Sequence, residues 1–204
     1  MSGFERKNPL AVVGAFKRAF ENDDRAALVL KCVNASADPI NAARLRAAAQ
    51  YPSIRVIEDY MSREEVASLT HACDVYVSLH RSEGYGLTLA EAMMAARPVI
   101  ATPYSGSADF TTVGNSLPVR YRLVEIEKDE GPYRRGSFWA EPDIDHAAEL
   151  MRWAFDHKEA TARLGAQAKE HITQVLSPEA IGKLVRARLE VIARIKGSLI
   201  PRAR

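Results

Sequence analysis

The stretch 75–106 restricts the fold more than any other part of the chain. Residues 75–79 are an apolar run broken only by Ser78, which reads as a buried strand. A polar turn with Ser82, Gly84 and Gly86 follows. Leu87, Ala90, Glu91 and Met94 then recur at helical spacing. Arg97-Pro98 stops that helix, and Val99-Ile100-Ala101 reads as a second short strand. Strand, glycine turn, helix and strand form a βαβ unit, because parallel strands need a crossover helix.

The same alternation runs upstream. Asn8-Pro9 opens a helix, with Asn8 as N-cap and Pro9 at the first helical position. Leu10, Val13, Phe16 and Phe20 are its apolar stripe. Residues 27–33 predict a strand, 39–50 a helix with Ile40, Ala43 and Ala47 inward, and 54–57 a strand. Ser62 and Glu65 form a capping box ahead of a helix whose Val66, Leu69 and Cys73 face inward. Such alternation implies an α/β fold: a Rossmann-like, three-layer arrangement with a parallel sheet covered on both faces.

Downstream, 107–112 reads as a short helix, 117–126 as a strand and 127–136 as an exposed loop with Gly131, Pro132 and Gly136. Residues 137–143 lead into a helix capped by Asp143, with Trp139 as a core anchor. The pattern from 144 to 196 is helical, broken at Ser177-Pro178. Ala147, Leu150, Met151 and Ala154 form one stripe, and Ile181, Leu184, Val185, Leu189 and Ile192 another. Arg186, Arg188, Arg194 and Lys196 make the last helix amphipathic and basic. It is expected to pack on its own domain, the alternative being a membrane surface. The division predicted is a Rossmann-like domain over 1–176 and a helical, basic tail over 177–204.

Composition excludes several classes. With 204 residues, 47% hydrophobic and 26% charged, the chain is an ordinary globular one. A net charge of +2 gives no field for nucleic acid. The two cysteines, Cys32 and Cys73, read as buried thiols rather than a disulfide. No metal-ligand spacing is present, and of the five histidines, His71, His146, His157 and His171 fall on predicted helices. No apolar run approaches the roughly 20 residues of a membrane span, and no signal peptide is recognised. A cytoplasmic protein is expected.

The βαβ unit also carries chemistry. Gly84 and Gly86 let the backbone approach a ligand closely. Free N–H groups at the helix start, across Tyr85, Gly86, Leu87 and Thr88, favour a diphosphate. Glu83 and Glu91, with seven residues between them, are acceptors suited to sugar hydroxyls. Phosphate donors flanked by two hydroxyl acceptors suit a nucleotide-sugar.

Residues 83–93, Glu-Gly-Tyr-Gly-Leu-Thr-Leu-Ala-Glu-Ala-Met, followed by Pro98-Val99-Ile100-Ala101 and Gly106, resemble the Glu-x7-Glu signature of retaining GT-B glycosyltransferases, family 4 in particular. The segments Arg6-Lys7-Asn8-Pro9 and Trp139-Ala140-Glu141-Pro142-Asp143 resemble a subgroup of that family. The resemblance implies a single GT-B C-terminal domain, the donor-binding half of a hexosyltransferase. In that reading Glu83 contacts the donor hexose as the catalytic residue, and Glu91 holds the ribose hydroxyls. Gly84, Tyr85, Gly86, Leu87 and Thr88 line the donor site, and Lys7 clamps the diphosphate. Ser2 stands where relatives carry a second clamp residue, an arginine, and Arg6 is near enough in sequence to replace it. The 58–61 loop is the family's base-holding loop, and Tyr60 and Met61 are read as ordinary loop residues there. No metal and no resident cofactor are expected.

The resemblance also implies absences. The acceptor-binding N-terminal half is not in the sequence, and 1–7 holds no strand, so the first strand of the sheet is missing. Residues 28–33 and 75–79 must then close on each other, or another segment must fill the gap, giving a reduced, partly remodelled sheet or pairing with another chain. The partners implied are a UDP-, GDP- or dTDP-linked sugar and a glycan or lipid-linked acceptor, with no nucleic acid. Peripheral contact with the inner membrane face and homo-oligomerisation stay open. The isolated chain is expected to be inactive without an acceptor domain. The alternatives are a catalytically inactive nucleotide-sugar binding or interaction module and, less favoured, a nucleotide-sugar epimerase.

Overall fold

The computed structural model describes residues 3–199. A single helical turn, α1 (Phe4–Lys7), precedes α2 (Pro9–Ala19). Pro9 occupies the first turn as predicted. Asn8 stands at the N-cap, yet it works through its backbone: it is left-handed (φ 51°) and its side chain makes no capping bond. β1 (Leu28–Lys31), α3 (Pro39–Ala48), β2 (Ile54–Ile57), α4 (Arg63–Ala72), β3 (Tyr76–Ser78), α5 (Leu87–Met94) and β4 (Val99–Ala101) follow in the predicted order. The Ser62 capping box is formed in both directions.

The strands are parallel but lie in two separate ladders. β1 pairs with β2, Leu28 opposite Ile54. β3 pairs with β4, and β4 with β5 (Leu117–Pro118). Residues 28–33 and 75–79 do not close on each other, and among the described residues no strand stands between β1 and β3. The N-terminal segment supplies a helical turn in place of a first strand, with Met1 and Ser2 outside the described residues. What ties the ladders together is α2. Its Ala11, Val12, Ala15 and Phe16 share one core with Leu28, Leu30 and Ile54 on one side and Val75, Val77, Leu79 and Ile100 on the other. The second core lies across the sheet, where α5 packs through Leu89, Ala92 and Met93 against β4 and against Ala168 and Ile172. The result is a Rossmann-like α/β fold with helices on both faces of a divided parallel sheet.

One predicted face, that of α3, is corrected, and that of α5 is added. In α3 the buried residues are Ala42 and Leu45, while Ile40 is 75% exposed and Ala43 and Ala47 are exposed. Leu45 is the large apolar residue of the helix core, and it sets the inner face. In α5 the stripe containing Leu87, Glu91 and Met94 is the outer one, and Leu89, Ala90, Ala92 and Met93 are buried. A helix rich in apolar residues offers more than one stripe at helical spacing, so periodicity alone does not choose the face.

The C-terminal half differs more. The 117–126 segment divides into β5 and β6 (Tyr121–Glu125), and β6 forms an antiparallel hairpin with β7 (Phe138–Pro142). Residues 138–142 are therefore a strand before the helix. The predicted short helix is a 3-10 segment, Ser105–Asp109. α6 (Ile144–Asp156) is capped by Asp143, whose Oδ1 accepts the His146 N–H at 3.0 Å. A break at His157, marked by no glycine or proline, separates α6 from α7 (Lys158–Leu176). α8 (Pro178–Leu199) does not pack on its own domain as expected: Leu184, Val185 and Leu189 are 65%, 51% and 59% exposed. No described helix is long and apolar enough to cross a membrane.

Candidate functional site

Two loops meet beyond the C-terminal ends of β3 and β4, where open α/β sheets bind ligands. Ser105, left-handed at φ 58°, stitches them. Its Oγ accepts the Glu83 N–H at 2.8 Å and donates to the Glu83 carbonyl at 2.7 Å. The Gly106 N–H donates to the same carbonyl at 3.0 Å. A Cβ on Gly106 would lie 2.3 Å from the Gly84 carbonyl oxygen, so only glycine allows this approach. Gly86 turns the chain into α5 at φ 92°.

Below the loops sits His80, fully buried. Its Nδ1 meets Ser78 Oγ at 3.0 Å and its Nε2 meets Ser107 Oγ at 3.1 Å. Burial pushes its pKa down to about 4, overcoming the opposing pull of Glu83. The ring is therefore neutral and serves as a fixed post under the turn.

Glu83 is 7% exposed, and both carboxylate oxygens are engaged. Lys7 Nζ binds Oε1. Arg6 Nη1 lies 3.0 Å from Oε2 and donates to the Ser82 carbonyl at 2.8 Å. Burial raises the Glu83 pKa, but the hydrogen bond and charge of Lys7 with the charge of Arg6 outweigh it, so the carboxyl titrates below its usual range. α1 is held at this place by its backbone, since the Arg81 N–H donates to the Arg6 carbonyl at 2.7 Å. Arg81 braces the assembly: it grips Glu141 through two nitrogens at 2.6 and 3.1 Å, donates to the Glu5 carbonyl at 2.8 Å, and lies over the Trp139 ring. From the β6–β7 connection, predicted as an exposed loop, Tyr133 turns back to donate to Ser82 Oγ at 3.2 Å.

The N-terminus of α5 opens beside Glu83. Gly86 offers no side-chain cap, so the N–H groups of the first turn are unmet by any side chain. Tyr85 and Leu87 are 40% and 65% exposed, and Thr88 and Glu91 are exposed. The Glu91 carboxylate has no hydrogen bond or ion pair among the described residues. The Tyr76 hydroxyl lies near Thr88, Glu83 and Glu91; burial raises its pKa, and the two carboxylates push it the same way.

The fold thus brings together Lys7, Glu83, the 84–88 turn and Glu91, all named from the sequence. Arg6 joins them directly. His80, Ser105 and Ser107 carried no sequence signal for their roles, because each acts through contacts with residues about 20 to 30 positions away. Tyr60, in the 58–61 loop, is 92% exposed. Among the described residues no group of His, Cys, Asp and Glu is arranged to hold a metal ion. Surface grooves at Gly182–Ala193 and around Phe20 and Tyr51 contain none of the site residues.

Residues 4–171 match the family described as glycosyl transferases group 1. The chain belongs to that family. A curated relative, trehalose synthase of Pyrococcus horikoshii, is 27% identical over 108 residues, 53% of this chain and 21% of the relative. Among solved structures, Anabaena HepE in complex with UDP and glucose superposes with a TM-score of 0.68 at 14% identity, over 94% of this chain and 46% of HepE. The alpha,alpha-trehalose-phosphate synthase (UDP-forming) of Burkholderia xenovorans, solved with glucose-6-phosphate, gives a TM-score of 0.66 at 15% identity, over 89% of this chain and 40% of the synthase. At these identities the likeness is one of fold. This group 1 chain spans less than half the length of those relatives.

Proposed function

We propose that the chain is the donor-binding half of a retaining glycosyltransferase, moving a hexose from a nucleotide-sugar to a glycan or lipid-linked acceptor. One observation carries the reading: a buried, doubly salt-bridged Glu83 stands beside the uncapped N-terminus of α5, which presents an unpaired Glu91 on its outer face. The diphosphate lies on the first-turn N–H groups of α5, where backbone dipoles favour an anion. Glu91 accepts from the ribose hydroxyls. Gly84 and Gly86 allow close approach. Similar folds described with UDP and glucose, such as HepE, support the choice of donor class.

In the unliganded site both cations serve Glu83. Lys7, whose side chain is 44% exposed, is the one free to move. A bound diphosphate draws Lys7 toward itself, and the Glu83 oxygen so released turns to the hexose hydroxyls. The glycosyl carbon–phosphate oxygen bond then breaks as the acceptor oxygen bonds the same face of that carbon, and the acceptor proton passes to the leaving diphosphate. The α5 N–H groups and Lys7 take up the charge that grows there. These roles call for no metal and no resident cofactor.

An inactive binding or interaction module is the second reading, favoured by the prior engagement of both Glu83 oxygens. Melting the chain with UDP, GDP, dTDP or ADP present tests the first. Stabilisation by one nucleotide, reduced in Lys7→Met, is expected; no stabilisation by any of them would remove the donor-site reading. Release of free sugar from the matching nucleotide-sugar separates a catalytic site from a binding module.

A further inference from the structure

The β6–β7 hairpin carries a second chemically defined surface beside the donor turn. β5 ends at Pro118 and β6 starts three residues later at Tyr121, so the hairpin leaves the same strand-end edge as the site loops. Side chains of directly paired antiparallel residues share a face. Trp139 and Glu141 therefore occupy one side of the hairpin, and Tyr121, Leu123, Glu125, Phe138 and Ala140 the other. The first side is committed to the site: Arg81 grips Glu141 and lies over Trp139, and the Ala140 N–H donates to the Arg81 carbonyl at 3.0 Å. The second side faces out. Tyr104 crosses it, donating its hydroxyl to the Phe138 carbonyl at 3.4 Å, with its ring 5.6 Å from the Tyr121 ring and inclined at 62°. Ala140, paired between those two contacts, is fully buried. What stays open is a shelf of half-buried Tyr104 with Tyr121, Leu123 and Phe138, which are 40%, 56% and 57% exposed.

The shelf adjoins the site through the backbone. Tyr104 directly precedes Ser105, whose Oγ holds both the N–H and the carbonyl of Glu83. Its chemistry points to a sugar. An exposed apolar patch rimmed by polar groups marks a binding surface. Aromatic faces are electron-rich and attract the polarised C–H groups on the flat face of a pyranose ring, whose hydroxyls project at the ring's edge. Partners for those hydroxyls stand at the rim: the Tyr121 phenol and the exposed Glu125 carboxylate, which is paired opposite Phe138. An alkyl chain makes no use of such a rim, and covering Glu125 with one would cost free energy.

We propose that this shelf holds a pyranose ring of a neutral glycan acceptor, stacked on Tyr121 and Phe138. The acceptor's sugar, not a lipid chain, is then the part that this half of the enzyme recognises. The proposal deepens the donor-site reading and rests on it for calling the sugar an acceptor. The sugar-binding surface itself rests on the hairpin's geometry, which shares no side chain with the proposed nucleotide contacts.

Saturation-transfer NMR of the chain with maltotriose, cellotriose and mannotriose reads the contact directly, and octyl β-glucoside sets sugar against alkyl chain in one molecule. Transfer is expected to the ring-face protons of at least one trisaccharide, and to the sugar rather than the octyl protons of the glucoside. Tyr121→Ala and Phe138→Ala should each weaken binding about 2- to 10-fold with an unchanged melting temperature. Tyr121→Phe keeps the ring and should keep the binding. Trp153→Ala removes an exposed ring elsewhere, 37% exposed, and should change nothing. UDP, GDP, dTDP or ADP should leave the transfer in place, because the two sites are filled together. Sugar transfer in a chain that binds no nucleotide would uphold the shelf and remove the donor reading. Nucleotide binding without transfer to any sugar would overturn the shelf alone. Transfer confined to the octyl chain, equal signals in the alanine variants, or displacement of the sugar by nucleotide would also overturn the proposal. So would self-association that is lost in Tyr121→Ala, which would assign the shelf to a second copy.

Discussion

Gly106→Ala tests how the two site loops hold each other. The new methyl would lie 2.3 Å from the Gly84 oxygen, 2.6 Å from its carbonyl carbon and 2.8 Å from Tyr85 Cα, all backbone atoms. Ordinary contact, at 3.4 Å or more, requires the loops to part by about 1.1 Å. That movement strains the Ser105 bonds to Glu83 and the Gly106 bond to the Glu83 carbonyl. Overpacking costs about 1–3 kcal/mol, and the partial weakening of these hydrogen bonds together adds about 1 kcal/mol. A loss of about 2–4 kcal/mol is expected, a fall in Tm of about 5–15 °C for a chain of this size. Gly84→Ala is the control: nothing lies within 4 Å of its Cβ, so stability should hold within about 0.5 kcal/mol. Urea unfolding of both variants reads the difference. A Gly106→Ala protein as stable as Gly84→Ala would refute the claim that the loops are in backbone contact.

Three further outcomes follow from the site and its supports. His80 is buried with a pKa near 4 against an unfolded value of about 6.5, so the unfolded chain binds the extra proton in acid. Stability should fall by about 3 kcal/mol as pH drops from about 6.5 to 4, and a His80→Gln protein whose acid profile is unchanged would show that another group controls it. Arg81→Lys removes the two-nitrogen grip on Glu141 and should cost about 1–2 kcal/mol in urea; an unaltered midpoint would mean that Arg81 does not brace α1. Removing residues 183–204 should leave Tm within about 2 °C, because α8 is largely exposed, and a larger fall would place α8 in the fold's stability.

The sequence revealed what repeats or punctuates. The 75–106 unit, the Ser62 box, the Asp143 cap and the order of the parallel strands were legible because each depends on neighbours a few positions away. The face of α3 was not, since helical spacing permits several stripes where small apolar residues crowd. β7 escaped because its pairing partner, β6, lies across a charged connection. In the site, Glu83, Glu91 and the glycines were legible as a spaced pattern. The engagement of Glu83 by Lys7, 76 positions away, and by its neighbour Arg6 depends on distant residues coming together. His80, lodged between Ser78 and Ser107, is visible only once the loops fold over it. The missing first strand was anticipated, but among the described residues the two ladders neither close on each other nor hold a strand between them.

The central claim is a nucleotide-sugar donor site at the start of α5, and Glu91 is its cleanest handle because the exposed carboxylate supports nothing else in the fold. Calorimetric titration of UDP, GDP, dTDP and ADP into the chain and into Glu91→Ala is the most direct measurement. The account predicts binding of one nucleotide, weakened in the variant by about 1–3 kcal/mol, or about 5- to 150-fold. Equal affinity in both proteins, or no binding of any nucleotide, would contradict it.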